Sequence, residues 1–325
     1  MLNVLFTVDT ETFPITNGWR ENNLAVDMKR DLHGEIDGRS VGLEYQLGIF
    51  SRNRLKANFL VESLFSAVPE VGPLPLREIV RAISAGGHDI QVHPHTEWIP
   101  HIPDFGIPYR SHQICDYPML EQEAIIRFAM ARLEDAGAPR PIAFRAGGFA
   151  ANADTLVALQ RTGIKFDTSF NLCYQTGKSQ MPTPASYGHV TEYDGVLEVP
   201  VAVFRDRPAH FRPAQLHACS AAEMIHALDA AERKGWNFFV IVSHSFEMVN
   251  CRRHATKAPT IRQIVVERFE KTCEFLSANR DRFTTVGFSD LDRPMPNGRE
   301  PVIEGRLLNT AGRLLEQAAN RLRTL

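Results

Sequence analysis

The sequence predicts an α/β fold in which parallel strands close, or nearly close, into a barrel. Apolar runs of strand length alternate with helical patterns along most of the 325 residues. This alternation is typical of parallel strands joined by right-handed crossovers. About seven or eight such units lie in one chain, which is enough for a (β/α) barrel. The composition, with 44% hydrophobic and 23% charged residues, is that of an ordinary globular domain.

Strands are predicted where short, mostly apolar runs occur, and helices where apolar residues recur every three or four positions. Glycine signals such as Gly86-Gly87 and Gly137 end two of the helices. The predicted strands cover residues 2–8, 57–61, 88–92, 141–144, 164–166, 196–201, 238–242 and 283–288. The predicted helices cover residues 41–54, 76–84, 120–136, 153–161, 221–234 and 260–278.

Three stretches, residues 13–39, 99–118 and 174–191, have little periodicity and follow strand ends that carry polar residues. Long loops in compact domains are usually functional or disordered. In a parallel barrel the carboxyl ends of the strands form the face that holds the active site. We therefore expect these loops to surround a functional site.

Charge, hydropathy and cysteine content exclude several classes of protein. The net charge is −2 without a block of like charges, so a nucleic-acid partner is not expected. No apolar run reaches the roughly 20 residues that cross a bilayer, and the N-terminal run is typical of a strand rather than a signal peptide. The five cysteines form no CxxC pair, which favours free thiols and a cytoplasmic location.

Two regions are predicted from these patterns. Residues 1–290 form the barrel, and residues 291–325 form a C-terminal extension with one amphipathic helix over residues 304–325. We expect the apolar face of this helix to pack on the barrel wall, and a homodimer contact through the helix is the alternative.

Acidic and histidine side chains follow two of the predicted strands. Asp9 and Glu11 are two residues apart and share one side of an extended segment, where they repel each other unless a cation or proton separates them. His93 and His95 share a face if the strand continues through them, whereas His93 and Glu97 do so if the chain turns helical. Either arrangement supplies ligands suited to Zn²⁺ or a similar ion, and solvated acids at a strand end are the alternative for Asp9 and Glu11.

Three further strand ends carry groups suited to chemistry. Arg145 precedes two glycines, which places a fixed cation where the backbone can approach a ligand. His244 follows an apolar strand and can transfer a proton, and Asp167 can orient such an imidazole. The structural alternatives are a surface arginine, a buried histidine bonded to a carbonyl, and a turn aspartate.

The order of these elements resembles the polysaccharide deacetylase family, which includes chitooligosaccharide deacetylases. Each motif is weak alone, but the set spans residues 2–290 in the correct order. Five family motifs have counterparts: T-F-D-D resembles residues 7–10, G-H-E-I-x-N-H-[ST]-x-x-H resembles residues 87–97, and the Arg, Asp and L-x-H motifs resemble residues 144–148, 166–169 and 241–244, respectively. Two family strands also have counterparts: K-A-T-F-F-V resembles residues 56–61, and E-x-P resembles residues 197–201.

The resemblance implies a distorted (β/α)7–8 barrel and a metal site in which the chain departs from the family pattern. The second Asp of the opening motif is Thr10, and the second metal-binding His is Glu97. The implied ligands are therefore Glu11, His93 and either His95 or Glu97. Zn²⁺ is the implied ion, with Mn²⁺ or Fe²⁺ as alternatives, and loss of the metal remains open.

The resemblance also implies hydrolysis of an N-acetyl group on a sugar or polysaccharide precursor, with metal-bound water as the nucleophile. Asp9 is implied as the general base, Arg145 as its bidentate partner, and His244 as the acid that Asp167 keeps charged. By analogy, the substrate belongs to intracellular surface-polysaccharide synthesis.

Loop residues supply a second set of candidates near the predicted mouth. Aromatic and histidine side chains in or beside the second long loop form a sugar-stacking wall or anchor the loop: Trp98, Tyr109, His112 and Tyr117. Polar side chains in the first long loop are further candidates that can reach the same mouth: Asp27, Asp31 and His33.

Two other functions remain open from the sequence. Some metal-free relatives resemble hydrolases of cyclic amides or ureides, such as allantoinase. A barrel that binds a glycan without turnover is the non-enzymatic alternative, although a binding module needs neither an acid nor a base.

Overall fold

The fold is built on a nine-stranded, mostly parallel sheet. The computed structural model describes residues 1–12, 24–175, 180–182, 190–250, 259–291 and 302–323. The strands of the sheet are β1 (Leu2–Thr10), β2 (Asn58–Val61), β3 (Asp89–Val92), β4 (Ala143–Phe144), β5 (Phe166–Asp167), β6 (Thr191–Tyr193), β7 (Val196–Glu198), β8 (Phe238–His244) and β9 (Phe283–Thr285). The spatial order is β8-β1-β2-β3-β4-β5-β7-β6, and β9 also pairs with β1. Every pair is parallel except β6 with β7.

Irregular backbone extends the curled sheet beyond its β8 edge. The Val201 amide donates to the Phe170 carbonyl, and the next amide, that of Ala202, donates to the Val240 carbonyl on β8. The Leu216 amide donates to the Val242 carbonyl. The segment after β7 thus bridges the two ends of the sheet, which forms a half-barrel closed by irregular strands. The predicted α/β barrel class is confirmed.

Eight helices connect or flank the strands in the described part of the chain. Apart from α8, their apolar faces pack on the outside of the sheet, against alternate side chains of the strands. They are α1 (Leu24–Asp31), α2 (Leu43–Arg52), α3 (Leu74–Ala85), α4 (Met119–Asp135), α5 (Ala153–Thr162), α6 (Ala221–Arg233), α7 (Gln263–Ala278) and α8 (Leu307–Arg323). None of the helices in these ranges is both long and apolar enough to span a membrane.

Side-chain alternation along the strands separates two hydrophobic clusters. On β1, Val4 and Phe6 belong to the cluster between sheet and helices, whereas Leu5 belongs to a smaller cluster inside the barrel. Val240 and Val242 on β8 lie in that same inner cluster. Because side chains alternate with a period of two, Thr7 and Asp9 on β1 and His244 on β8 follow on the inner face.

Short strands outside the main sheet were not predicted from the sequence. They form three groups: Glu35–Ile36 with Arg39–Ser40, Val249–Asn250 with Thr260–Ile261, and Val203–Arg207 between His210–Pro213 and Ile303–Glu304. The β6–β7 hairpin lay partly in a predicted loop. Its turn residues Asp194 and Gly195 have φ of 47° and 90°, the conformation that favours Asp-Gly in two-residue hairpins.

Helix α8 of the C-terminal extension docks through polar groups, whereas Ile303 before it is buried in the hydrophobic core. Arg313 of α8 is buried and donates to Glu223 at 3.1 Å and to Asp206 at 3.2 Å, and the Thr310 hydroxyl donates to the Asp206 carbonyl. The prediction that the leucine face of α8 packs on the barrel wall is wrong, because four of the leucines on that face are exposed: Leu307, Leu308, Leu314 and Leu315.

Four of the five cysteines lie in the described ranges, and all four are free: Cys115, Cys173, Cys219 and Cys273.

Replacement of Arg313 by Ala should lower the free energy of unfolding by about 2–3 kcal/mol, because it leaves buried carboxylates short of a cation. Urea unfolding measures this difference. Arg306→Ala, at an exposed position of the same extension, is the control and should change stability by less than about 0.5 kcal/mol. Equal stabilities of the two variants would contradict the polar docking of α8.

Candidate active site

Asp9 lies at the centre of the inner face, at the carboxyl end of β1. Its Cα is the register partner of His244 on β8, and its side chain is almost completely buried. The Asp9 Oδ1 atom accepts a hydrogen bond of 2.6 Å from Arg145 Nη1. Its Oδ2 atom lies 3.9 Å from His93 Nε2 and 3.7 Å from His244 Nε2. One carboxylate thus faces three of the side chains that the sequence predicted at separate strand ends.

Arg145 is fully buried and uses its guanidinium to cross-link the inner face. Nη1 donates to Asp9 and to the Thr7 hydroxyl, at 2.9 Å from the latter. Nε and Nη2 donate to the Thr168 carbonyl and hydroxyl. The expected bidentate contact with Asp9 is therefore replaced by a single hydrogen bond, because the other donors are engaged on Thr168. The geometry still holds Asp9 in one orientation.

Glu11, His93 and His95 converge on one point beside Asp9. The backbone stays extended past the end of β3, with φ −112° and ψ 113° at His95, so His93 and His95 share a face across Pro94. Their Nε2 atoms lie 3.2 Å apart. Glu11 Oε2 lies 3.3 Å from His93 Nε2 and also contacts His95 Nε2.

The far nitrogen of each imidazole is held by another group. His93 Nδ1 lies 2.8 Å from the Arg145 carbonyl, to which it can only donate, so its Nε2 carries the lone pair. His95 Nδ1 lies 3.4 Å from Glu97 Oε2. Glu97 thus faces the side of the His95 ring opposite to Glu11. Partners of this kind orient the imidazole ligands of metal sites.

This donor set fits a divalent metal ion. One atom each from Glu11, His93 and His95 lie within 4.8 Å of one another, and all three residues are buried. Two imidazole nitrogens and a carboxylate oxygen suit Zn²⁺, Fe²⁺ and similar ions. Zn²⁺ in catalytic sites commonly has three protein ligands and one open position.

Gly147 makes room for this arrangement. A Cβ on Gly147 would lie 3.1 Å from the Pro94 carbonyl oxygen and 3.2 Å from His95 ring atoms. A side chain here would require the Pro94 backbone or the His95 ring to shift. The glycine after Arg145 therefore has a packing reason at this site.

Attraction between opposite charges shifts the pKa values of Glu11 and His95. Burial alone raises the pKa of Glu11, but the His95 and His93 rings hold that pKa well below its usual range. Burial disfavours the charged form of His95, yet Glu11 and Glu97 raise its pKa well above the ordinary value. A metal ion would therefore displace a proton from this cluster, and its binding weakens as the pH falls.

His244 has a carboxylate partner other than the one predicted. Its Nδ1 donates to Glu247 Oε1 at 2.9 Å, and the His217 Nδ1 lies 2.7 Å from the same oxygen. Despite burial, Glu247 raises the pKa of His244 to about 9. The two imidazoles offset burial of Glu247 and lower its pKa to about 2. Glu247 thus makes the contact with the His244 ring that the sequence analysis expected of Asp167.

Asp167 lies on the other side of its strand. Phe166 packs in the inner cluster, so alternation turns Asp167 away from His244. Its Oδ1 accepts a 2.6 Å hydrogen bond from the Ser169 hydroxyl, and its register partner on β7 is Glu198. Burial raises the pKa of Asp167. Burial and the Asp167 carboxyl raise the pKa of Glu198 well above its usual range, so the pair retains a proton.

Glu62 contacts the backbone of the candidate metal ligand His95. It follows the last residue of β2 and accepts hydrogen bonds from the Leu64 amide at 2.8 Å and from the His95 amide at 3.5 Å. Burial raises the pKa of Glu62 to about 8, although the nearby His95 charge opposes this shift. Glu62 therefore links the start of the short 3-10 helix Leu64–Ala67 to the backbone of a candidate ligand.

The four residues of the predicted sugar-stacking wall differ in burial. Trp98 and Tyr117 are buried and anchor the second long loop, whereas Tyr109 and His112 are exposed. In the first long loop, Asp31 pairs with Arg30, and His33 pairs with Glu44 of α2. The side chain of Asp27 lies outside the described residues.

Sequence reasoning missed three site residues, Glu247, His217 and Glu62. Glu247 had a usable signal, since it lies three residues after a histidine at a strand end. Glu62 directly follows a predicted strand and also had one. His217 had none, because only tertiary structure brings it to Glu247.

Comparisons with known proteins support the fold. No protein-family model and no curated protein matches the chain. The structure is similar to a Mycobacterium smegmatis protein provisionally described as a polysaccharide deacetylase, with a TM-score of 0.54 and 17% identity over 90% of this chain and 94% of that chain. It is also similar to the 4-alpha-glucanotransferase from Thermococcus litoralis, with a TM-score of 0.56 and 12% identity over 94% of this chain and 42% of that chain.

These likenesses define a class of fold, the barrel of the polysaccharide deacetylase type, as the ordered motifs predicted. A transferase shares it, so the barrel by itself does not select the reaction. The particular activity must be argued from the side chains.

We expect Glu11 to act as a metal ligand and Glu97 to act as a group that orients the His95 ring. Glu11→Gln should weaken Zn²⁺ binding by more than about 100-fold, and Glu97→Gln by only about 10-fold. Titration calorimetry of the chelator-treated protein measures both affinities. Reversal of this order would assign Glu97 rather than Glu11 to the metal.

The His244–Glu247 pair should contribute stability in a defined pH window. The folded pKa of His244 is raised to about 9, so its contribution is complete below the unfolded value and is lost as the pH rises through 9. The folded pKa of Glu247 is lowered to about 2, so its contribution is complete above its unfolded value and is lost as the pH falls through 2. Urea unfolding of wild type and Glu247→Gln in chelator should therefore differ most near pH 5–6, and a difference independent of pH would contradict this pairing.

Proposed function

We propose that this protein is a metal-dependent hydrolase that removes an N-acetyl group from a sugar or polysaccharide precursor. The observation that carries the proposal is the position of Asp9, whose carboxylate faces His93 at the candidate ligand cluster and His244 on the other side. A base, an acid and an ion site around one small volume are what amide hydrolysis requires.

Asp9 acts as the general base in this proposal. Arg145 holds Oδ1, which leaves Oδ2 directed at the space between His93 and His244. Asp9 accepts a proton from the attacking water while the water oxygen forms a bond to the acetyl carbon.

His244 acts as the general acid. Glu247 holds Nδ1 and favours the charged ring, so Nε2 carries a proton towards the reaction volume. As the carbon–nitrogen bond breaks, that proton passes to the leaving nitrogen, which departs as an amine while acetate remains.

Glu11, His93 and His95 would hold the ion. When bound there, a divalent ion supplies Lewis acidity towards the amide carbonyl and makes water a better nucleophile at neutral pH. The convergence of two Nε2 atoms and one carboxylate oxygen is our reason to prefer this reaction over a metal-free ureide hydrolase, and the acid–base pair is our reason to prefer an enzyme over a glycan-binding barrel.

The substrate class rests on the ordered motifs and the shared barrel. We extend the proposal by analogy to a nucleotide-linked sugar of surface-polysaccharide synthesis. A location inside the cell is supported by the four described cysteines, which are free thiols.

Acetate release from a panel of N-acetylated sugars, nucleotide-linked N-acetyl sugars and N-acetylated oligosaccharides tests the proposal. The Zn²⁺-loaded protein should release acetate from at least one class, and chelation should abolish the release. Asp9→Asn should lower kcat by at least about 10³-fold without loss of Zn²⁺ affinity.

Asp135→Asn, at an exposed position on α4, is the matched control and should retain full activity. Turnover that survives both chelation and Asp9→Asn would contradict the proposal, as would the absence of acetate release across the whole panel.

A further inference from the structure

His217 lies outside the strand ends that carry the proposed reaction, yet it contacts the partner of His244. It belongs to the segment between the strand His210–Pro213 and α6. Its Nδ1 lies 2.7 Å from Glu247 Oε1, the oxygen that accepts the hydrogen bond from His244 Nδ1. The centroids of the two imidazole rings are 6.3 Å apart. Two imidazoles therefore share one oxygen of a buried carboxylate.

Glu247 has supports besides the two histidines. The Ser243 hydroxyl donates to its other oxygen, Oε2, at 3.2 Å, and its backbone amide donates to the His244 carbonyl. The Glu247 side chain is only 2% exposed, whereas that of His217 is 39% exposed. Replacement of His217 would therefore leave Glu247 in place and remove only one of the hydrogen-bond donors to its carboxylate.

We propose that His217 is a positioning residue that divides the Glu247 charge with His244 and so regulates how firmly His244 holds its proton. This inference deepens the proposed function, on which the role of His244 as an acid rests. A carboxylate oxygen that accepts two N–H groups attracts each more weakly than it would attract one alone. His217, which reaches solvent, thus restrains an effect that Glu247 would otherwise exert fully on the proton donor.

The direction of this effect follows from the chemistry of an acid. Too high a pKa makes His244 a weak proton donor, and too low a pKa leaves it uncharged at neutral pH. Glu247 raises the pKa of His244, and the second imidazole opposes that increase. Glu247 and His217 should therefore act on His244 in opposite directions.

Other charged or titratable groups also face this trio, and their effects are common to all variants below. Asp9 lies 3.7 Å from His244 Nε2, and Glu11 adds a further negative charge. On the His217 side, the guanidinium of Arg268 donates to the His217 carbonyl. The Tyr174 phenol lies near Glu247 and contacts Gln215.

The titration of the His244 ring measured by NMR on histidine-labelled full-length protein tests the inference. His244→Gln assigns the signal. His217→Phe, which cannot donate to Glu247, should raise the titration midpoint of His244 by about half a pKa unit or more. His217→Gln retains a donor and should give a smaller increase, whereas Glu247→Gln should lower the midpoint by about two units.

His210→Gln is the matched control. His210 has the same 39% side-chain exposure and also pairs with a buried carboxylate, Asp206, but that pair lies beside α8. This variant should leave the His244 midpoint unchanged. An unchanged or lowered midpoint in His217→Phe would overturn the inference, as would a second Zn²⁺ per chain that disappears in His217→Phe, because the trio would then be a metal site.

The NMR titration uses no substrate and is read before and after addition of Zn²⁺. Absence of acetate release with the expected midpoint shifts would overturn the proposed function alone. Acetate release with an unshifted midpoint in His217→Phe would overturn this inference alone.

Discussion

The ion pair between Asp9 and Arg145 joins β1 to the residue that follows β4 inside the barrel, where almost no water reaches either side chain. A buried ionised carboxylate is strongly destabilising unless a cation and hydrogen-bond donors compensate for the lost hydration. Arg145 supplies this compensation, and Thr7 and Thr168 fix the guanidinium in turn. The backbone carbonyl of Arg145 also accepts the His93 hydrogen bond. One residue therefore orients both the candidate base and a candidate metal ligand.

The sequence was sufficient for the barrel and for much of the site, because both depend on local periodicity. The apolar runs of β1 and β8 predicted two buried strands, and the polar residues that end them lie on the same inner face. Extended backbone through His93 and His95 selected one of the two arrangements that the spacing allowed. The hairpin at Asp194-Gly195 was also encoded locally, although the polar character of the preceding stretch concealed it.

The remaining differences arise from long-range geometry. A strand end carries its side chain inwards or outwards according to one residue of register, and Asp167 falls on the outward side, next to Glu198. Glu247 reaches His244 because the chain turns directly after β8. The leucines of α8 look like a packing face on a helical projection, but the depth of Asp206 and Glu223 in the fold makes Arg313 the anchor. No local pattern reports such depth.

Pro94, which separates the two imidazoles of the candidate metal cluster, has a consequence for assembly. A proline disfavours helical backbone at the residue before it and fixes its own φ, so His93-Pro94-His95 favours extended conformations even in a nascent chain. Part of the backbone entropy that this segment loses on folding is therefore already lost in the unfolded chain, before distant strands have paired. Glu11, which lies one residue beyond β1, then completes the candidate donor set.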